Sequence, residues 1–319
     1  MLWEVTDCYP ENPATMTYKV QNQVSYVRTG DFAFSAIGWD SAKGANELLV
    51  ADFNSDNKQD ILLPNDLVLE DYQDGAGFTY NFAVQPSSLS LFAGAGNGGF
   101  SAGASYDLDA SLQKPATGFR LSSAASGDFD QDTELDAAVV NSAQNNLVLM
   151  RGVGDGTFSS YATITTKKGP MAVDAGNLDA DGDIDLAVGY SDSCTQITIF
   201  WNDGAGNFPA STNLDTGIAC DASKNRKPDI KIAQLNGDGI PDIVYVYPVA
   251  GGSKNVAIFW GAGSGSFSPA DNYVVGNGAG SCWQTAKADV AVADFNNDGK
   301  PDLLIAISEN QQLYFLYGK

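Results

Sequence analysis

The chain has 319 residues, 44% hydrophobic and 11% aromatic, enough to bury a large core in one repeat domain or two ordinary ones. Its 39 acidic against 17 basic residues leave a net charge of −22, which repels nucleic-acid phosphates and anionic membranes and makes a metal cation the first partner to consider. Histidine is absent, which removes the commonest general base, nucleophile activator and zinc ligand together.

In chain order, the start Met1-Leu2-Trp3-Glu4 lacks the basic region and apolar stretch of a signal peptide, so export would need a leader outside this sequence or another route. No run of eighteen apolar residues exists to span a membrane. Residues 1–31 resemble nothing that follows; strand-like stretches at 15–20 and 24–28 suggest a hairpin, in a cap on its own domain or an arm that joins a neighbouring subunit's sheet. From residue 32 to 319 a single domain is expected, because one pattern recurs five times: ADFNSDNKQDILL from 51, GDFDQDTELDAAV from 127, GNLDADGDIDLAV from 176, AQLNGDGIPDIVY from 233 and ADFNNDGKPDLLI from 293. The first positions of the acidic pattern, at 52, 128, 177, 234 and 294, are 76, 49, 57 and 60 residues apart. Those are blade-sized intervals.

A glycine turn ending in phenylalanine, as in LVLMRGVGDGTF and ITIFWNDGAGNF, follows each of the first four acidic loops, with its markers at Phe100, Phe158, Phe208 and Phe267. Short apolar or alternating runs with no helix-length amphipathic stretch predict an all-β fold, and the periodic glycine and aromatic landmarks predict a β-propeller. The fifth unit stops at Tyr317-Gly318-Lys319, short of its last strand. Phe32 to Ile37 lies at the spacing that would supply it, so five blades closed by an N-terminal strand are expected, with six or seven as the alternative. The insertion from Leu67 to Ser87 is read as an enlarged hairpin.

Each loop places side-chain oxygens at its first, third, fifth and ninth positions, with glycine usually sixth to make a left-handed turn. Alternate spacing aims these oxygens at one point, which suits calcium with its six to eight oxygen ligands, completed by the seventh backbone carbonyl and water. The candidate ligands are Asp52, Asn54, Asp56 and Asp60 with the carbonyl of Lys58; Asp128, Asp130, Asp132 and Asp136 with that of Glu134; and Asn177, Asp179, Asp181 and Asp185 with that of Asp183. The fourth set is Gln234, Asn236, Asp238 and Asp242 with the carbonyl of Ile240, and the fifth is Asp294, Asn296, Asp298 and Asp302 with that of Lys300. The fifth and third loops fit best; the second is strained by β-branched Thr133 at its turn, and the fourth carries only two formal charges. Up to five calcium ions are therefore expected. Without ions these are ordinary acidic turns.

At these residues the sequence resembles the FG-GAP/VCBS repeat family of calcium-loop propellers, which includes integrin α-subunit heads and propeller lectins; the resemblance covers residues 32–319 and is most specific in DFNNDGKPDLL at 294–304. It implies an extracellular or cell-surface location, calcium in the acidic loops, and adhesion, carbohydrate binding or assembly. Integrin-like heads usually have seven blades, whereas five are counted here.

The leading expectation is a non-enzymatic, calcium-stabilised adhesive or self-assembling structural subunit whose partners are other protein subunits, itself included, or extracellular glycans. A carbohydrate-binding lectin is the first alternative, with Trp3, Trp39 and Trp283 as candidate sugar-stacking residues. Trp201 and Trp260 share a repeat column with Phe92, Met150 and Tyr317 and are read as core. A polysaccharide-active enzyme without a histidine base is the second alternative; Asp71 and Asp74, or Lys167 and Lys168, could be invoked, yet their spacing does not separate them from solvated charges. Four cysteines allow three pairings; Cys194 and Cys220 flank one blade and are paired on that ground, leaving Cys8 with Cys282.

Overall fold

The computed structural model describes residues 2–4, 19–21, 47–65, 68–73, 79–85, 88–107, 121–219, 226–249, 253–275, 286–308 and 312–318. Among these there are strands and turns and no helix. A two-stranded pair opens the chain, β1 (Leu2–Glu4) against β2 (Lys19–Gln21), with Trp3 opposite Val20. Of the hairpin expected from 15–20 and 24–28, only Lys19 and Val20 are described, and they pair with β1; residues 24–28 lie outside the described residues.

The first blade contains β3 (Leu49–Ala51), β4 (Asp60–Asn65), β7 (Ser88–Gly94) and β8 (Phe100–Asp107), in that order. Between β4 and β7 the insertion forms its own antiparallel hairpin, β5 (Val68–Gln73) with β6 (Thr79–Gln85). The second blade has β9 (Leu121–Gly127), β10 (Asp136–Asn141), β11 (Asn146–Gly152) and β12 (Phe158–Thr165). The third has β13 (Pro170–Gly176), β14 (Asp185–Tyr190), β15 (Gln196–Trp201) and β16 (Ala210–Asp215), and the fourth β17 (Asp229–Ala233), β18 (Asp242–Val246), β19 (Val256–Phe259) and β20 (Asp271–Tyr273). The fifth shows β21 (Ala288–Ala293), β22 (Asp302–Ile307) and β23 (Gln312–Leu316). The strand expected to complete it, Phe32 to Ile37, lies outside the described residues. Every pairing within these sheets is antiparallel, and the whole is a five-blade β-propeller arrangement.

Burial explains why these residues become strands. The second strand of a blade is covered on both faces by neighbouring blades, so β10 (DAAVVN) and β14 (DLAVGY) are buried at all six positions and read as continuous apolar runs. The outermost strand β16 (ASTNLD) is almost wholly exposed and correspondingly polar. The cores lie between blades. Leu62, Leu89 and Leu91 meet Ala124, Val148 and Met150 between the first two; Leu147 and Leu149 meet Val173 and Leu186 between the next two. Ile197 and Ile199 then meet Ile243 and Tyr245, and Val244 and Ile258 meet Val290 and Ile305. Each such buried aliphatic side chain contributes about 1.5–3 kcal/mol.

Polar links register the inner strands. The N–H of Val173 donates to Ser123 Oγ at 3.1 Å, that of Ile232 to Asp174 Oδ2 at 2.7 Å, and that of Val290 to Asp229 Oδ2 at 2.8 Å, each from one blade to the next. Burial raises the Asp229 carboxyl despite nearby Lys231. Glu47, just before the first blade, pairs with Lys227 at the head of the fourth at 3.6 Å, so the segments that lead into these two blades approach one another.

Candidate metal centres

All five acidic loops are built the same way, as the connection between the first and second strands of a blade. The first residue of each second strand is the loop's ninth position, and it is fully buried in every case: Asp60, Asp136, Asp185, Asp242 and Asp302. One carboxylate oxygen accepts the N–H of the loop's second residue, at 2.9–3.0 Å from Phe53, Phe129, Leu178, Leu235 and Phe295. The other accepts an N–H from the end of the third strand, at 2.8–3.0 Å from Gly94, Gly152, Asn202, Gly261 and Gly318. The ninth residue is therefore an anchor as well as a candidate ligand, because it clamps the loop to the glycine hairpin. Desolvation outweighs those hydrogen bonds and pushes Asp136 and Asp185 up to about 6; Asp242 is raised for the same reason.

The upper half of each loop curls around its own carboxylates. Asp52 accepts the N–H groups of Asp56 (3.1 Å) and Asn57 (2.7 Å); Asp128 does the same for Asp132 (3.0 Å) and Thr133 (2.9 Å), and Asp294 for Asp298 (3.1 Å) and Gly299 (2.8 Å). The fifth residue accepts from the seventh: Lys58 to Asp56, Glu134 to Asp132, Asp183 to Asp181, Ile240 to Asp238 and Lys300 to Asp298, all at 2.8–2.9 Å. This curl needs two left-handed residues, where the sequence pattern singled out only the sixth. The fourth position is left-handed too, at Ser55 (φ 57°), Gln131 (60°), Ala180 (67°), Gly237 (82°) and Asn297 (61°). Thr133 does adopt φ 78°, a strained conformation for a β-branched residue.

Adjacent loops touch. Ser55 Oγ donates to Glu134 Oε2 at 2.8 Å, and Gln131 Nε2 donates to Asp183 Oδ1, so the fourth position of one loop reaches the seventh of the next. The first three loops therefore form one continuous acidic rim.

The loops differ in how their charge is answered. Among the described residues, only Asp128, Asp130 and Asp136 bring three carboxylate oxygens within 4.8 Å of one another, so the second loop, ranked behind the third and fifth from its turn residue, has the tightest acidic cluster. Asp130 Oδ1 is buried there without a hydrogen-bond partner, as a cation ligand would be. Its Oδ2 pairs with the guanidinium of Arg151, an arrangement that the sequence reading missed. In the first loop Lys58 Nζ lies 2.7 Å from Asp56 Oδ2, and their hydrogen bond holds the Asp56 carboxyl down. In the fourth loop the Gln234 side-chain N–H donates at 2.9 Å to both Asn236 Oδ1 and Asp238 Oδ1, so an amide nitrogen stands amid the oxygens a cation would share.

The aromatic column needs correcting. The N–H groups that reach the anchor aspartates align Ala93, Arg151, Trp201, Trp260 and Tyr317, one residue away from the expected Phe92 and Met150. Trp201 and Trp260 are half-buried and pack against the cores between blades, as expected, whereas Arg151 and Tyr317 in the same column are exposed. Trp201 Nε1 donates to Thr212 Oγ1 (2.9 Å) and Trp260 Nε1 to Asp271 Oδ2 (2.7 Å). Of the proposed sugar-stacking residues, Trp3 stands in β1, while Trp39 and Trp283 lie outside the described residues. Among the residues whose burial is described, the exposed aromatics are Tyr273, Phe295, Phe315 and Tyr317. Phe315 stacks on Tyr317 (6.2 Å between rings, 13° between planes) and meets Phe295 edge-on at 5.9 Å.

Asp71 sits in β5 opposite Asn81, Asp74 is outside the described residues, Lys168 pairs with Asp192 at 2.9 Å and Lys167 bonds to Gln196. Cys194 is buried and disulfide-bonded; Cys8, Cys220 and Cys282 lie outside the described residues.

Comparison with known proteins adds a family. The family described as FG-GAP-like repeat matches residues 128–188, 177–245 and 234–305, which together span more than half of the chain. No curated protein matches it.

Proposed function

Since the chain belongs to the FG-GAP-like repeat family, we propose that it is an extracellular, calcium-stabilised propeller that works as a non-enzymatic adhesive or self-assembling structural subunit. Support for calcium comes from the acidic loops: hard oxygen donors converge, histidine and thiolate ligands are missing from them, and Asp130 offers a buried unpartnered oxygen. The ligand oxygens would come from Asp52, Asn54, Asp56 and Asp60 in the first loop and from the corresponding side chains of the others. A bound cation would neutralise carboxylates that otherwise repel one another and would stabilise only the folded state. Five ions would change the formal charge from −22 to −12, since each adds two.

The single observation that carries assembly is an apolar strip along β23 and the residue just past its end. Leu313, Phe315 and Tyr317 alternate along one face and are 61, 47 and 59% exposed, with Phe295 beside them. Apolar surface gathered on one strand face marks a contact surface more often than chance exposure does. The same stacked rings favour a second reading, a lectin that lays a sugar face on Phe315 and Tyr317. Disulfides Cys194–Cys220 and Cys8–Cys282 would suit the extracellular setting.

Light scattering and calorimetry on the same samples, with calcium and then with excess chelator, test this. Particles larger than a monomer that form with calcium and are lost in Phe315→Ser, with melting temperature retained, support the subunit reading. A monomer whose Phe315→Ser variant loses glycan binding supports the lectin. An unchanged melting temperature in chelator removes calcium from the account.

A further inference from the structure

The second loop differs from the other four in the charge of its own ligand set. Its first, third, fifth and ninth positions are all carboxylates, Asp128, Asp130, Asp132 and Asp136. Every other loop has an amide in at least one of these places: Asn54, Asn177, Gln234 with Asn236, or Asn296. The second loop is also the one whose flanking column residue is cationic. Where its counterparts are Ala93, Trp201, Trp260 and Tyr317, β11 supplies Arg151, and its guanidinium sits on Asp130, the third-position carboxylate. The Asp130 side chain is only 6% exposed, so this charge is largely shielded from water and the pairing is not an ordinary surface contact. Lys58 in the first loop is different. It reaches Asp56 from within its own loop, both side chains are at least one-third exposed, and water screens the pair.

We propose that Arg151 is a built-in counter-cation of the second loop: it holds Asp128, Asp130 and Asp136 together without calcium and, by the same charge, weakens calcium binding there. The loop is thereby set apart from its neighbours as one whose acidic cluster is partly neutralised before calcium enters and binds it more weakly than its charge alone would give. This rests on calcium being the ion of the other loops. Coulomb repulsion between the guanidinium and an incoming divalent ion acts across a mostly buried carboxylate, while the exposed half of Arg151 lets water screen part of it, so the affinity lost is about tenfold.

The test uses the full chain and Arg151→Gln, which keeps a polar side chain of similar reach and removes the charge. In excess chelator the variant should melt lower than wild type, and in saturating calcium it should melt level with wild type or above it. At a free calcium level that leaves the weaker loops of wild type part-filled, equilibrium dialysis should show more calcium bound per chain in the variant, and Asp132→Asn in the same chain should abolish the gain. Asp130→Asn combined with Arg151→Gln, which gives the loop the amide its neighbours have, should recover the melting temperature in chelator. An equal loss of melting temperature with and without calcium would mean that Arg151 only packs, and unchanged calcium binding would equally overturn the proposal. If wild type itself binds no calcium, the functional reading fails first, and wild-type dialysis separates that failure from this one.

Discussion

Removing a ninth-position anchor and removing an ordinary loop carboxylate should have different costs, and the third blade allows the comparison. Asp185 is fully buried and accepts the N–H of Leu178 at 2.9 Å and of Asn202 at 3.0 Å. Asp185→Ala leaves both donors buried with no acceptor, and at roughly 1–3 kcal/mol for each unsatisfied group the loss is about 4 kcal/mol. Asp181 is exposed and accepts one N–H from Asp183 inside its loop at 2.9 Å, so Asp181→Ala should cost under about 1 kcal/mol in the absence of calcium. With an unfolding entropy of roughly 2.1 cal/mol/K per residue, 4 kcal/mol lowers the melting temperature of a chain this size by about 6 °C. Calorimetry in excess chelator should therefore separate the two variants clearly. In calcium both variants also lose a ligand, so both should fall further below wild type, with Asp185→Ala still the lower of the two. Equal shifts in chelator would refute the claim that the ninth residue anchors the loop independently of a cation.

Thr133→Gly should stabilise the protein by about 1 kcal/mol, since glycine adopts φ 78° without the clash of a branched side chain and gives back part of that gain in unfolded-chain entropy; a denaturant titration reads it. The pH dependence has a definite sign. Burial raises Asp136 and Asp185 to about 6 in the folded state, above the ordinary carboxylate range of the unfolded chain, so the folded state binds more protons between about pH 4 and 6. In chelator the stability these two groups contribute should fall as pH rises through that window and level off above it. Calcium must displace those protons, so the melting-temperature gain on adding calcium should be smaller at pH 5 than at pH 7.5. A gain that shrank with rising pH would contradict the reading.

Repetition is what made the blades legible. Five copies of an acidic loop followed by an apolar run determine that each segment ends one strand and begins another, because the ninth aspartate must be buried to anchor the loop and the residues after it must be covered on both faces. All-β class, blade spacing, the hairpin inserted before β7 and the strain at Thr133 follow from local chemistry of that kind. Alignment of landmarks alone did not reach the third-strand column, since a single-residue offset changes which face a side chain takes; Met150 is buried while neighbouring Arg151 stands half-exposed.

What only the tertiary structure decided lies between elements distant in sequence. Arg151 meets Asp130 because the third strand of a blade returns beside the loop before its second strand, and Gln131 reaches Asp183 because consecutive blades turn their loops to the same side. The left-handed fourth position is similarly a demand of the loop's curl on whatever residue stands there, as Ser55 and Ala180 show. Composition and spacing determined which oxygens each loop owns. Packing decided which of them are anchors, which are answered by a neighbouring cation, and that an apolar strip on β23 faces outward, because burial and counter-charge depend on what the rest of the chain brings alongside.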